Sequence, residues 1–188
     1  MKRFNILGIC GSLRENSINK NLLIKMGEFL PEEYELELAD LSGVPLYNSD
    51  LETDLPASVA VLASQVQKAD AVLISSPEYN SSISGVLKNA LDWLSRPIVH
   101  TPLSNKVVAI MGATPGALGT IRGQLHLREV LFALNAQVLR RPEVLIPHVS
   151  SKLDKNGFLV EERALGLLNS LAGAIVEEVE TGLMIAKK

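Results

Sequence analysis

The sequence predicts an α/β fold, a three-layer α/β/α sandwich on a five-stranded parallel sheet, and three observations predict it. Strand-length apolar runs alternate with helix-period segments from end to end. The central run AVLISS is apolar almost throughout, as a strand covered on both faces is, whereas YELELAD alternates apolar and acidic residues, as an edge strand does. The length, 188 residues, suits one such domain with a sizeable core, so residues 1–188 read as a single unit.

Residues 4–10 read as the first strand. From Ile18 the pattern turns helical, with Ile18, Leu22, Met26 and Leu30 on one face and Pro31 as the stop. Residues 34–40 are the edge strand, and a long connection over 41–55 carries Gly43, Pro45 and Asn48. A second helix spans 57–68 through Val59, Leu62, Ala63 and Val66, and 71–76 is the third strand. After the loop 77–84 a third helix runs through Leu87, Ala90, Leu91 and Leu94 and stops before Pro97. The fourth strand is 106–112; a glycine-bearing loop at 114–119 follows, then a helix with Leu127, Val130, Leu131 and Leu134 on one face. A short fifth strand is expected at 143–146, and a last helix over 161–181 turns Leu168, Leu171, Ala172, Ile175 and Val179 inward.

Strand and helix alternating in this way make a parallel sheet with helices on both faces. Right-handed crossovers leave two common strand orders, and five strands suit 2-1-3-4-5, the flavodoxin-like order. Ligands of such sheets sit beyond the carboxyl ends of the strands where the order reverses, between the first and third strands. That rule singles out the loops 11–17, 77–84 and 113–120.

Composition narrows the function classes. Hydrophobic residues make up 47% and charged residues 21%, and the net charge is −3. There is no basic run for nucleic acid or an anionic membrane surface. No apolar stretch approaches the roughly 20 residues that span a bilayer. The opening MKRFNILGICGS is broken by Asn5 and Gly8 and reads as a strand, not a leader, so the expected setting is cytoplasmic. Cys10 is the single cysteine and lies in an apolar run, which suits a buried structural thiol. His100, His126 and His148 fall on different elements without metal-ligand spacing, and none accompanies a GxSxG serine, so neither a metal centre nor a hydrolase triad is expected.

The loop after the first strand, GSLRENSIN, opens a helix. A helix N-terminus offers free N–H groups and about half a positive charge, which suits a phosphate. Ser12, Ser17 and Asn19 can donate to it and Arg14 can clamp it. The glycines read Gly8-x-x-Gly11, so neither a GxGxxG dinucleotide fingerprint nor a GxxxxGK[ST] phosphate loop is present. Ser17 serves equally as an ordinary helix cap, and the two roles are compatible. The second loop sets Glu78 and Tyr79 in a turn marked by Pro77, Asn80 and Gly85, with Ser84 as the cap of the next helix. Main-chain groups at 77–80 could face the polar edge of a flat ring. Lys88, Asp92 and Arg96 follow at i,i+4 spacing and read as surface ion pairs. The third loop, Ala113 to Gly119, is small enough for a flat ring to approach its backbone.

These segments carry a resemblance. GSLRxxSxN after the first strand, PEYNxSxxGxLKNALDWLSRP after the third and GATPGALGTIRGQLHLREVL after the fourth are similar to the NADPH-dependent FMN reductase family, over residues 4–146. The resemblance implies FMN as cofactor and NADPH or NADH as co-substrate. Gly11, Ser12, Arg14, Ser17, Ile18 and Asn19 would surround the flavin phosphate. Pro77, Glu78, Tyr79, Asn80 and Ser81 would wrap the isoalloxazine, and Thr114 and Gly116 would meet it from the third loop. The family's reaction is two half-reactions at one flavin, ending on a small acceptor such as a quinone, a free flavin, an azo compound or a metal oxyanion, and no side chain is assigned as acid or base. Tyr79 would shape the pocket for nicotinamide and acceptor. Many members have an aromatic residue at the position of Ser81 and proline at that of Ser84, so the acceptor range here is open. The family also implies a homodimer or homotetramer, with Arg122, His126 and Arg128 near the subunit contact. Two other readings stand beside it: a flavodoxin-type electron carrier without NAD(P)H activity of its own, and a flavoprotein sensor.

Overall fold

The structure, a computed structural model, describes residues 3–186. One parallel sheet contains β1 (Phe4–Cys10), β2 (Tyr34–Leu38), β3 (Ala71–Ser75), β4 (Val107–Ala113), β5 (Gln137–Val138) and β6 (Val144–Ile146). The helices are α1 (Ile18–Gly27), α2 (Ala57–Lys68), α3 (Gly85–Leu94), α4 (Ile121–Ala133) and α5 (Glu162–Ala186). The strand order is β2-β1-β3-β4-β5, the expected flavodoxin-like order with β2 at the edge, and β6 also pairs with β4.

Alternation along the strands builds two cores, because successive side chains of a strand face opposite ways. On one face Leu7, Ile9, Val72, Ile74, Val108 and Ile110 meet the buried sides of α2, α3 and α4. On the other, Ile6, Leu73, Ala109 and Met111 meet α1 and α5, including the expected Leu168, Leu171, Ala172, Ile175 and Val179.

The elements depart from expectation in three places. The strand anticipated at 143–146 is one of two short pieces sharing the fifth position. β5 pairs with the first residues of β4 (Val107↔Gln137) and β6 with its last (Met111↔Val144). The chain leaves the sheet between them, where Pro142 has no N–H for a ladder. Helix α1 ends at Gly27, so Leu30 packs against the core from the turn that follows. Helix α5 runs to Ala186, beyond the expected end.

The long connection before α2 is ordered by α3. Trp93 is fully buried and its Nε1 donates to the Pro45 carbonyl at 2.8 Å. Asn89 spans the same segment, donating to Pro45 O at 2.8 Å and accepting from Tyr47 N at 2.7 Å. The Tyr47 ring stands edge-on to Trp93, centroids 5.0 Å apart, with the Arg96 guanidinium over the ring, 5.3 Å from the Tyr47 centroid. Arg96 also donates to Ser95 Oγ at 2.9 and 2.6 Å, and of the anticipated surface pairs only Lys88–Asp92, at 2.7 Å, has formed among the described residues. Trp93→Ala is expected to cost about 3–5 kcal/mol of stability, measured as a lower urea midpoint; Trp93→Phe, which keeps most of the packing and loses the bond to Pro45, should cost less and speed proteolysis within 41–55.

Candidate functional site

The site lies where the carboxyl ends of β1, β3 and β4 come level. Its floor is made of small residues. Gly11 N donates to the Ser75 carbonyl at 2.8 Å, an approach that leaves no room for a side chain: a Cβ on Gly11 would lie 2.9 Å from Ser76 Cβ. On Gly112, a Cβ would lie 2.6 Å from the Ser76 carbonyl oxygen. A side chain at either position would collide with Ser76, so these strand ends pack this closely only with glycine there.

The β1–α1 loop presents its helix end to this floor. Ser17 is the N-cap, in extended conformation, and its Oγ accepts from Lys20 N at 3.3 Å. The N–H groups of Ile18 and Asn19 have no partner among the described residues, and the first turn holds no acidic residue. A 10-residue helix therefore points unpaired donors and the positive end of its dipole at the cleft. Ser12 Oγ accepts from Arg14 N at 3.3 Å, and the exposed Arg14 guanidinium has no partner among the described residues. Cys10, expected to be buried, is only half-buried, its Sγ 3.7 Å from Ser17 Oγ, and desolvation pushes the thiol up from its ordinary value.

Asn19 has a different task from the one its type suggested. Its side chain is buried and engaged at both ends: Oδ1 accepts from Ser75 Oγ at 3.0 Å and from Ala113 N at 3.1 Å, and Nδ2 donates to the Ala113 carbonyl at 3.1 Å. The amide ties the first turn of α1 to the ends of β3 and β4. What Asn19 can offer a phosphate is its backbone N–H.

The second loop is a two-residue turn. Tyr79 and Ser82 exchange backbone hydrogen bonds of 3.0 Å, and Asn80 and Ser81 between them have φ of 51° and 61°, the left-handed pair of a tight hairpin turn. Three ties pin this turn to α4. Glu78 Oε2 accepts from Gly123 N at 3.0 Å, Arg122 Nη1 donates to Ser81 Oγ at 3.1 Å, and His126 Nδ1 lies 3.1 Å from Ser82 Oγ. Glu78 thus occupies the anion position at the start of α4, where the helix dipole favours a negative charge. Sequence reasoning had no hold on these ties and offered Arg122 and His126 a subunit contact or a solvated helix face; Arg128 donates to the Leu139 carbonyl at 2.9 Å. The serine pair at 81–82, with Arg122 and His126 four residues apart on α4, was the available signal.

The third loop is fixed to the far side of the sheet. Thr114 N donates to Ile146 O at 3.1 Å, Val149 N to Thr114 O at 3.1 Å, and His148 N to Gly116 O at 3.0 Å. Ser84 caps α3, its Oγ accepting from Leu87 N at 3.3 Å.

The fold gathers the anticipated residues closely. Ser12, Arg14, Ser17, Ile18, Asn19, Pro77, Glu78, Tyr79 and Thr114 line one cleft, joined by Ala113 and Pro115, which the sequence reading left out. Gly11 lines the adjoining cavity with Tyr79, Ser84 and Gly85. Asn80, Ser81 and Gly116 stand outside the cleft lining, at the turn tip and on the exposed third loop. The three histidines lie on separate elements, and among the described residues no cluster suits a metal ion.

The family model described as NADPH-dependent FMN reductase matches residues 4–151. The chain is 43% identical over 171 residues to an NAD(P)H-dependent FMN reductase of Pseudomonas aeruginosa, covering 90% of this chain and 92% of that one. It is 41% identical over 154 residues to a 2-hydroxy-1,4-benzoquinone reductase of a Burkholderia species, covering 82% and 84%. Among solved structures it resembles FerB, a flavoenzyme NAD(P)H:(acceptor) oxidoreductase of Paracoccus denitrificans, at 30% identity and a TM-score of 0.87, covering 95% of this chain and 98% of that one. These likenesses favour the reductase over the electron-carrier alternative. The chain belongs to the NADPH-dependent FMN reductase family: it is an FMN-dependent oxidoreductase that uses NAD(P)H.

Proposed function

We propose that the cleft between the three loops holds FMN and that the protein uses it to reduce a small acceptor of the quinone class. The observation that carries this reading is one cleft that joins the start of α1, whose Ile18 and Asn19 N–H groups have no partner among the described residues, to an Arg14 guanidinium equally without one and to the small residues Ser12, Ser17, Ala113 and Thr114. Such donors fit a monophosphate, and such small residues fit the edge of a flat ring. Quinone-type acceptors are supported by the name of the Burkholderia relative.

In this assignment Ser12, Arg14 and the backbone at Ser17, Ile18 and Asn19 hold the phosphate, and Gly11 clears its approach. Pro77 to Ser81 border the ring through their main chain, with Thr114 and Gly116 opposite. Bound FMN supplies the two-electron carrier between a reduced nicotinamide and an oxidised acceptor. The chain supplies position and access. Tyr79, half-exposed at 51%, shapes the entrance for nicotinamide and acceptor. Glu78, the one carboxylate among the lining residues, is held by Gly123 N, which supports a reaction without a side-chain acid or base.

We further propose a cytoplasmic homodimer or homotetramer. A need for reduced nicotinamide supports the compartment; among the described residues no helix is long and apolar enough to cross a membrane. Exposed Leu125 and Phe132 on α4, at 55% and 85%, support an interface between copies. Phe132→Glu is expected to lower the mass seen by sedimentation; an unchanged mass would remove α4 from the interface.

The purified protein should be yellow, bleach under anaerobic NADH or NADPH, and recover colour on adding benzoquinone. Protein that stays yellow with either nucleotide unless another reductase is added would instead mark an electron carrier. Arg14→Ala is expected to weaken FMN binding about 10- to 100-fold with unchanged urea stability of the apoprotein. Asn19→Ala should lower that stability by about 2–4 kcal/mol, because it orphans buried groups at the ends of β3 and β4. Equal effects of the two changes on apoprotein stability would overturn the separation of phosphate clamp from structural tie.

A further inference from the structure

A second cavity opens on the other side of the Ser12–Arg14 turn, between the carboxyl ends of β1 and β2. Its volume is about 370 Å³, within the roughly 300–1,000 Å³ of small-ligand pockets. Ser12 and Arg14 line both this cavity and the flavin cleft, so a single turn separates the two. Its walls divide by chemistry. Leu13, Leu38 and Leu41 give an apolar side suited to a purine. Asp40 and Ser42, just beyond β2, give an acceptor and a hydroxyl. Lys20 gives a cation with no ion-pair partner among the described residues, and Glu15 completes the charged lining.

Asp40 is held in place. Its Oδ1 accepts from Ser42 N at 2.8 Å. That N–H first, then the Ser42 hydroxyl, keep the carboxyl below its usual range, and nearby Lys20 adds to the effect. A fixed, ionised carboxylate at the end of the second strand, facing a cavity beside the first, is the arrangement with which doubly wound sheets bind the hydroxyls of a nucleotide ribose. The first loop here lacks the GxGxxG backbone, so its helix end is left for the flavin phosphate while the ribose position persists one strand further out.

We propose that this cavity receives the adenosine half of the nicotinamide co-substrate, with Asp40 accepting from the ribose 2′- and 3′-hydroxyls and Lys20 facing the diphosphate. This deepens the flavin-reductase reading and rests on it. The apolar wall takes the adenine, and the dinucleotide crosses the exposed Leu13 to reach the flavin cleft. A 2′-phosphate in place of the 2′-hydroxyl would bring about −2 of charge against Asp40, so the chain prefers NADH to NADPH.

The test uses the FMN-loaded protein and two non-reducing probes, ADP-ribose and 2′-phospho-ADP-ribose, titrated by calorimetry. The wild type should bind ADP-ribose more tightly. Asp40→Asn and Asp40→Ala should each weaken ADP-ribose about tenfold, raise KM for NADH similarly, and narrow or reverse the preference between the probes, with the flavin spectrum unchanged. Lys20→Ala should weaken both probes. Tighter wild-type binding of the 2′-phosphorylated probe overturns the assignment of Asp40. A holoenzyme that oxidises NADH while the Asp40 variants match the wild type in affinity and KM overturns the proposal and leaves the flavin reading standing; yellow wild-type protein that no nicotinamide reduces overturns both.

Discussion

The site depends on the side-chain amide of Asn19. One oxygen accepts from Ser75 and from the backbone of Ala113, and one nitrogen donates to the Ala113 carbonyl. The first turn of α1 is thereby locked to the ends of β3 and β4 at the point where strand order reverses. Because the group is buried, releasing it would leave several polar atoms without water or partner, so the lock is costly to open. Its consequence is directional: the start of α1, whose first N–H groups have no partner among the described residues, is held against the cleft between the three loops.

The same economy governs the second loop. Glu78 could have been taken for a reacting acid, yet its carboxylate is occupied at the first turn of α4, and Ser81 and Ser82 are engaged by Arg122 and His126. Helix α4 is consequently the backing of the turn at 78–82. Its outer side carries exposed Leu125 and Phe132, so contacts made there act on an element already tied to the cleft. The chain shapes and positions; the redox chemistry belongs to the cofactor.

Much of the architecture was legible, for local reasons. Ser17 before Ile18 announces a capped helix, and Ser84 before Gly85 another; both caps are present. The apolar run at Ala71–Ser75 announces a strand buried on both faces, and every residue in it is buried. The fifth position was less legible. Gln137–Val138 is too short to show a period, and only its pairing with Val107 and Val108 makes it a strand. Likewise, Leu30 keeps the apolar spacing of α1 although the helix has ended, because it packs from a turn. Within the site, Ser12, Arg14, Ser17, Pro77 and Tyr79 were found from loop position and residue type and Thr114 from the family resemblance, and they meet in one cleft. Ala113 and Pro115 were not, since nothing in an alanine or a proline announces a lining.

Local pattern was enough for the helices, the first four strands and the three loops that converge, because periodicity, caps and turn residues act within a few positions of one another; the motifs in those loops carried the family resemblance. What the polar side chains do was fixed by contacts that folding alone brings about. Asn19 meets Ala113 across 94 positions and Glu78 meets Gly123 across 45. The Asp40 cavity likewise exists only once β2 lies beside β1. A polar side chain spends its hydrogen bonds on whatever folding brings within reach, and distance along the chain carries no record of that.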